Sequence, residues 1–205
     1  MKYIDFRKAF KDFTVFSIDE IKKIDEKFHR RRLNEWQDKG YIQKVIKRFY
    51  IFSDLDLDEH VLFEIANRIH RPSYVSLEAA LSYYHLIPES VYAVTSVTSR
   101  RPGHYKTPQA DFIYRTIKPA LFFGYDLVEH LGKRWLIACM EKALLDYFYL
   151  TPHLSSEDSF ASLRIEPSVF RQRFDEDKMS SFLAKISQKR LAGRVNTFLE
   201  FMQNA

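Results

Sequence analysis

The chain has 205 residues, 46% hydrophobic and 29% charged, enough for one large packed unit or two small ones without disulfide or metal staples. Its single cysteine, Cys139, lies in an apolar stretch and reads as a buried free thiol, and only five glycines argue against a glycine-rich phosphate cradle. The net charge of +5 is unevenly placed: residues 1–53 hold 14 Lys/Arg against 8 Asp/Glu, a net +6, and residues 54–205 net −1, so the first quarter suits a polyanion or is simply a solvated basic surface.

In chain order, residues 3–11 predict a short helix with Ile4, Phe6 and Phe10 as core positions. Ser17 to Glu20 spells a capping box, in which the serine caps the first amides and the glutamate reaches back. A short helix follows to about Ile24. Asp25-Glu26 then makes a turn or a helix start, and a longer helix runs to Lys39, where Gly40 stops it as a left-handed cap. Tyr41 to Val45 and Phe49 to Ser53 are rich in β-formers, joined by the tight basic connection Ile46-Lys47-Arg48. Helix, helix, helix, strand, turn, strand is the order of a winged helix-turn-helix.

The acidic stretch Asp54–Asp58 reads as a linker to a second, mixed α/β domain. Residues 58–70 and 76–85 predict helices, the second capped by Ser76; Val91–Val97 and Phe112–Ile117 predict strands with a loop at Arg100–His104 between them. Residues 138–150 predict a strongly apolar helix, and amphipathic helices follow, among them Met179–Ile186 and Leu191–Met202. The expected fold class is therefore α+β: a winged helix-turn-helix in residues 1–53, then a mixed α/β domain in residues 54–205 that ends in helices.

On a helical wheel over residues 24–39, Ile24, Phe28, Leu33 and Trp36 share one half. Lys27, Arg30, Arg31 and Asn34 form a stripe on the other half, at the spacing of neighbours on one helix face. A DNA recognition helix needs this division, because arginine forks match guanine, asparagine matches adenine, and lysine meets phosphate. Arg32 and His29 fall nearer the apolar side: Arg32 is expected to pack its stem and reach a phosphate or a carboxylate, and His29 to be half-buried. Lys44, Lys47 and Arg48 on the hairpin are expected to contact the DNA backbone.

Catalytic signals are weak. The histidines lack metal-binding spacing, and no P-loop, GxSxG or dinucleotide fingerprint is present, so neither cofactor nor metal is expected. Glu141, Lys142 and Asp146 on one helix admit a nuclease-like cluster or, more simply, an i, i+4 ion pair on an exposed helix face. Met1 to Arg7 is amphipathic and charged rather than a secretory signal, and the apolar runs near Leu121 and Leu136 are too short to span a bilayer. A cytoplasmic protein with no membrane partner is expected.

Three segments carry a resemblance. They are Phe16–Phe52, with Leu33, Trp36, Gly40 and Tyr50 as landmarks; Pro72 to Glu89, containing Ser73-Tyr74-Val75-Ser76-Leu77-Glu78-Ala79-Ala80-Leu81; and Glu141-Lys142-Ala143-Leu144-Leu145-Asp146. Together they resemble the AbiEi-like antitoxins of type IV toxin–antitoxin systems, over about residues 10 to 150. The chain departs from that pattern at Phe49, where the family usually has glycine, and at Ala79, where it has serine. The resemblance implies an autorepressor that binds operator DNA through its winged helix. It further implies that the carboxy-terminal domain counters a nucleotidyltransferase-like toxin without needing a tight complex. The competing expectations are a nuclease-like domain fused to a winged helix, and an adaptor whose winged helix binds protein.

Overall fold

The computed structural model describes residues 1–88 and 93–204. It is a mixed α+β fold with ten α-helices and two sheets among the described residues. The first 52 residues run α1 (Tyr3–Ala9), β1 (Phe16–Ser17), α2 (Ile18–Ile24), α3 (Arg31–Asp38), β2 (Ile42–Ile46) and β3 (Phe49–Phe52). Their strands form an antiparallel sheet in the order β1-β3-β2.

Aromatic packing holds this part together. Phe6 stacks on Trp36 at 4.6 Å and meets Phe10 and Phe16 edge-on or tilted at 5.0 Å each, all four buried. Ile4 was expected in this core; it is 67% exposed, because α1 turns Phe6 and Phe10 inward one helical turn apart and Ile4 falls on the opposite side. The capping box forms as read: Ser17 Oγ accepts from the Glu20 amide at 3.3 Å, and Glu20 accepts from the Ser17 amide at 2.8 Å. Gly40 sits at φ +69° after α3, the left-handed conformation expected of it.

The long helix to Lys39 is shorter than expected. Residues 25–30 form tight turns, and α3 begins only at Arg31. The Asp25 amide closes α2 on the Ile21 carbonyl, and the Phe28 amide then folds back to the Asp25 carbonyl at 2.9 Å. This reversal drives the Phe28 ring against Trp36 at 5.6 Å, and burial of that ring overrides the helical periodicity. Ile24 is consequently exposed rather than part of the core.

The second sheet has six strands in the order β6-β7-β5-β4-β9-β8. Their spans are β4 Ser73–Val75, β5 Ala93–Thr98, β6 Gly103–Lys106, β7 Asp111–Thr116, β8 Tyr125–His130 and β9 Lys133–Ala138. The pairs β5·β7 and β4·β9 are parallel and the rest antiparallel. The β4·β9 ladder is a single register pair, Val75 with Ile137, and the Asn67 carboxamide accepts from the Leu136 amide beside it. The expected strand at Val91–Val97 appears from Ala93 on, its first two positions lying outside the described residues. The expected loop at Arg100–His104 is partly strand, since Gly103 and His104 pair with Tyr114 and Ile113. The β8–β9 hairpin was not anticipated; its turn places both Leu131 and Gly132 at positive φ, without the Asn-Gly or Asp-Gly signal that marks such turns.

Helix α4 (Glu59–Ile69), capped by Asp58, packs on β4, β5 and β9, while α5 (Leu77–Tyr83) packs on β5 and on α6 (Met140–Leu150). The chain ends in α7 (Glu157–Ala161), α8 (Pro167–Arg173), α9 (Glu176–Ile186) and α10 (Lys189–Asn204), of which α9 and α10 pack on α6. Ser76 occupies the N-cap position of α5 but does not cap it. The acceptor for the Ala79 amide is Thr95 Oγ1 of β5, at 3.0 Å.

Apolar side chains gather in two clusters. The smaller draws only on residues up to Phe52; the larger is built from the rest of the chain together with Val15, Val45 and Ile51. Polar contacts cross between the two parts: Thr14 donates to Glu64 at 2.6 Å, Lys133 donates to Thr14 at 3.0 Å, and Arg68 pairs with Glu20.

Candidate nucleic-acid interface

The residues singled out in the sequence fall into three groups. Lys27 and Arg30 are exposed but precede the helix, Arg30 at its N-cap, so the stripe continuous through Asn34 does not exist as a helical face. Arg31 opens α3 with its side chain 88% exposed, and its Nε lies 3.4 Å from Glu35 one turn on. Asn34 is exposed one turn from Arg31, yet Glu35 and Asp38 are exposed on the same helix. Exposed positive charge therefore lies in the approach to α3 and at its first residue, with Lys27, Arg30 and Arg31, while Glu35 and Asp38 along the helix offset it and Lys39 follows at the C-cap.

Arg32 does not belong to that surface. It is half-buried and donates to the Met1 carbonyl, tying α3 to the start of the chain instead of reaching a phosphate or a carboxylate. His29 is exposed, not half-buried, because the turn at residues 25–30 lifts it off the core.

The hairpin between β2 and β3 supplies the second group. Lys44 and Lys47 are exposed, and Lys47-Arg48 form a tight turn with Arg48 at φ +79°. The register of the two strands shifts between Lys44 and Ile46, a bulge beyond which Ile46 pairs with Phe49. Arg48 forms an ion pair with Asp19 on α2, and its carbonyl accepts from the Ile18 amide, so the tip is fastened to the start of α2. Lys22 and Lys23, in the last turn of α2, are also exposed, a basic pair outside the expected contact residues whose place in a short helix after Ser17 is legible in the sequence.

The third group is the candidate catalytic trio, and here the structure departs most from expectation. Lys142 and Asp146 do pair, but inside the protein. Lys142 Nζ donates to Tyr74 Oη at 2.8 Å and to Asp146; Tyr74 and Ser76 each donate to Asp146 Oδ2 at 2.9 Å. Burial pushes the Asp146 carboxyl above its ordinary range and the Lys142 ammonium below its own, while their mutual attraction opposes both shifts. Glu141 faces other partners, accepting from the Asp175 amide at 3.1 Å and pairing with Lys178 at 3.2 Å. The two carboxylates thus serve separate contacts. Among the described residues, no group of three or more His, Cys, Asp or Glu side chains is placed to hold a metal ion, and no helix is long and apolar enough to cross a membrane.

The chain matches no family model, and no curated protein matches it.

Proposed function

We propose that residues 1–53 form a winged helix-turn-helix that binds operator DNA, and that the chain is a non-enzymatic, cytoplasmic autorepressor. The observation that carries this reading is the exposed basic run of Lys27 and Arg30, just ahead of α3, and Arg31, its first residue, where the second helix of an α2–α3 pair begins. In helix-turn-helix readers, residues at that end of the second helix reach base edges in the major groove. Lys44, Lys47 and Arg48 then meet the backbone, with Arg48 exchanging Asp19 for phosphate. Helix α3 is short, so the reading requires end-on insertion rather than a helix lying along the groove.

The antitoxin role rests on the resemblance of Pro72–Glu89 and Glu141–Asp146 to the AbiEi-like pattern, and it assigns neutralisation of a nucleotidyltransferase-like toxin to residues 54–205. The nuclease alternative draws no support from Asp146, whose oxygens are occupied by Lys142, Tyr74 and Ser76. The test is an electrophoretic shift of the DNA upstream of the protein's own reading frame. Wild type retards that fragment in preference to unrelated DNA, and Arg30→Ala/Arg31→Ala does not; equal retardation by both proteins contradicts the reading.

A further inference from the structure

We propose that β8 pairs edge to edge with β8 of a second copy of this chain, joining two six-stranded sheets about a two-fold axis. Strand β8 ends the sheet order, so one side of its backbone is open. The hairpin geometry fixes which groups face that side. The turn at Leu131-Gly132, both at positive φ, makes His130–Lys133 the closing hydrogen-bonded pair, and at the other end of the ladder the Cys139 amide donates to the Gly124 carbonyl at 3.0 Å. Hydrogen-bonded pairs alternate along antiparallel strands, so Gly124, Asp126, Val128 and His130 spend their backbone groups on β9. The N–H and C=O groups of Tyr125, Leu127 and Glu129 point away from it and have no partner among the described residues. Leu127, 64% exposed, lies on this open strand, and Leu131, 83% exposed, in its turn. An exposed edge with unpaired backbone groups is a template for another strand.

The side chains of β8 select its own copy as that strand. An antiparallel ladder forms only where outward-pointing residues meet, so pairing most of the strand puts the two-fold axis at Leu127, Val128 or Glu129. About Val128, the exposed Asp126 carboxylate faces the partner's His130, and His130 faces the partner's Asp126. Val128 meets its own copy, and Glu129 lies opposite the partner's Leu127. Two complementary polar pairs thus form at once, and no like charges stand directly opposed. With the axis at Glu129, two carboxylates meet head on; with the axis at Leu127, Asp126 and His130 lose each other. The Val128 register is isologous and closes at two copies. An edge of six residues makes a contact smaller than the roughly 1,200 Å² of stable interfaces, so the association is weak.

The test is sedimentation velocity on the full chain from micromolar to near-millimolar concentration, where the mass is expected to rise from one chain toward two. Leu127→Pro removes an outward amide while leaving the β8–β9 ladder its bonds, and should lower the association constant roughly tenfold or more. His130→Asp, which sets carboxylates opposite each other, should do the same. Asp126→His/His130→Asp restores both pairs in reverse and should recover the dimer, an outcome that a folding defect cannot mimic. Under oxidation Val128→Cys should give a disulfide-linked dimer, because Cα atoms of a non-hydrogen-bonded pair stand about 4.5 Å apart, within disulfide reach, and Leu127→Cys should not. Cys139 is buried and does not compete. A chain that stays monomeric throughout overturns the proposal. So does a dimer indifferent to Leu127→Pro and His130→Asp, one that the reversed pair fails to restore, or one that crosslinks in Leu127→Cys instead.

Discussion

Lys142 and Asp146 stand one helical turn apart on α6 and form an ion pair whose side chains are only 1% and 3% exposed. An i, i+4 pair on a helix surface contributes a few tenths of a kcal/mol; the same pair buried behaves differently, because each charge is tolerable only while the other is present. Asp146→Asn leaves the Lys142 ammonium buried without a counter-ion and is expected to destabilise the fold by about 3–5 kcal/mol in urea titration. Replacing both by apolar residues of similar volume, Lys142→Met/Asp146→Leu, should recover much of that loss. A cost below about 1 kcal/mol for the single variant would show that water reaches the pair.

Burial pushes the Cys139 thiol up to about 11, from an ordinary value of 9.0. The sign follows from linkage: a group whose folded value is raised contributes stability that is fully present below its unfolded pKa and is lost as pH rises through the folded one. Stability should fall between about pH 9 and pH 11, and the fall should be shallower in Cys139→Ala than in wild type. The comparison between variants matters because Tyr74, Tyr84 and Tyr114, also raised by burial, titrate in the same direction. Parallel stability–pH curves for the two proteins would assign the effect to the tyrosines alone.

Val15, Val45 and Ile51 belong to the larger core, and Thr14–Glu64, Lys133–Thr14 and Glu20–Arg68 bridge the two parts of the chain. The basic amino-terminal quarter and the rest are therefore expected to unfold in one cooperative transition, followed equally by Trp36 and Trp135 fluorescence. Removing the bridge with Arg68→Ala should lower the common midpoint. Two resolved transitions, one for each tryptophan, would mean the parts are energetically independent.

How far the sequence discloses this arrangement depends on the range of the interaction that fixes each element. The Ser17–Glu20 box, the Gly40 stop, the Asp58 boundary and the apolar helix at Met140–Leu150 are set by neighbours within a turn, and each reads directly. The start of α3 does not, because Phe28 leaves the helical path to reach Trp36. Ser76 is the clearest failure: its local spacing marks a cap, but Asp146, 70 residues away, takes its hydroxyl while Thr95 supplies the cap. The same distance hid the burial of Lys142, since nothing near it in sequence announces Tyr74 as a partner. At the candidate interface, Lys27, Arg30 and Arg31 were legible as basic and exposed, whereas the diversion of Arg32 to the Met1 carbonyl was not.

That diversion separates adjacent arginines. Arg32→Ala is expected to lower stability by about 1 kcal/mol, the usual worth of a hydrogen bond, while Arg31→Ala leaves the denaturation midpoint unchanged. If the opposite order is measured, α3 is rotated relative to its core.

Should the antitoxin role hold, protection and repression reside in different parts of the chain. Full-length Arg30→Ala/Arg31→Ala should lose repression of a reporter and still rescue cells that express the cognate toxin. Rescue that falls in step with repression across a series of such variants would mean protection acts through transcription alone.

The claim that the N-terminal end of α3 meets DNA is tested most directly by the salt dependence of operator affinity. Wild type should show log K falling linearly with log salt concentration, and Arg30→Ala/Arg31→Ala should bind more weakly, lose its preference over unrelated DNA, and show a slope shallower by up to about 2. An unchanged slope and undiminished preference in the double variant would contradict the account.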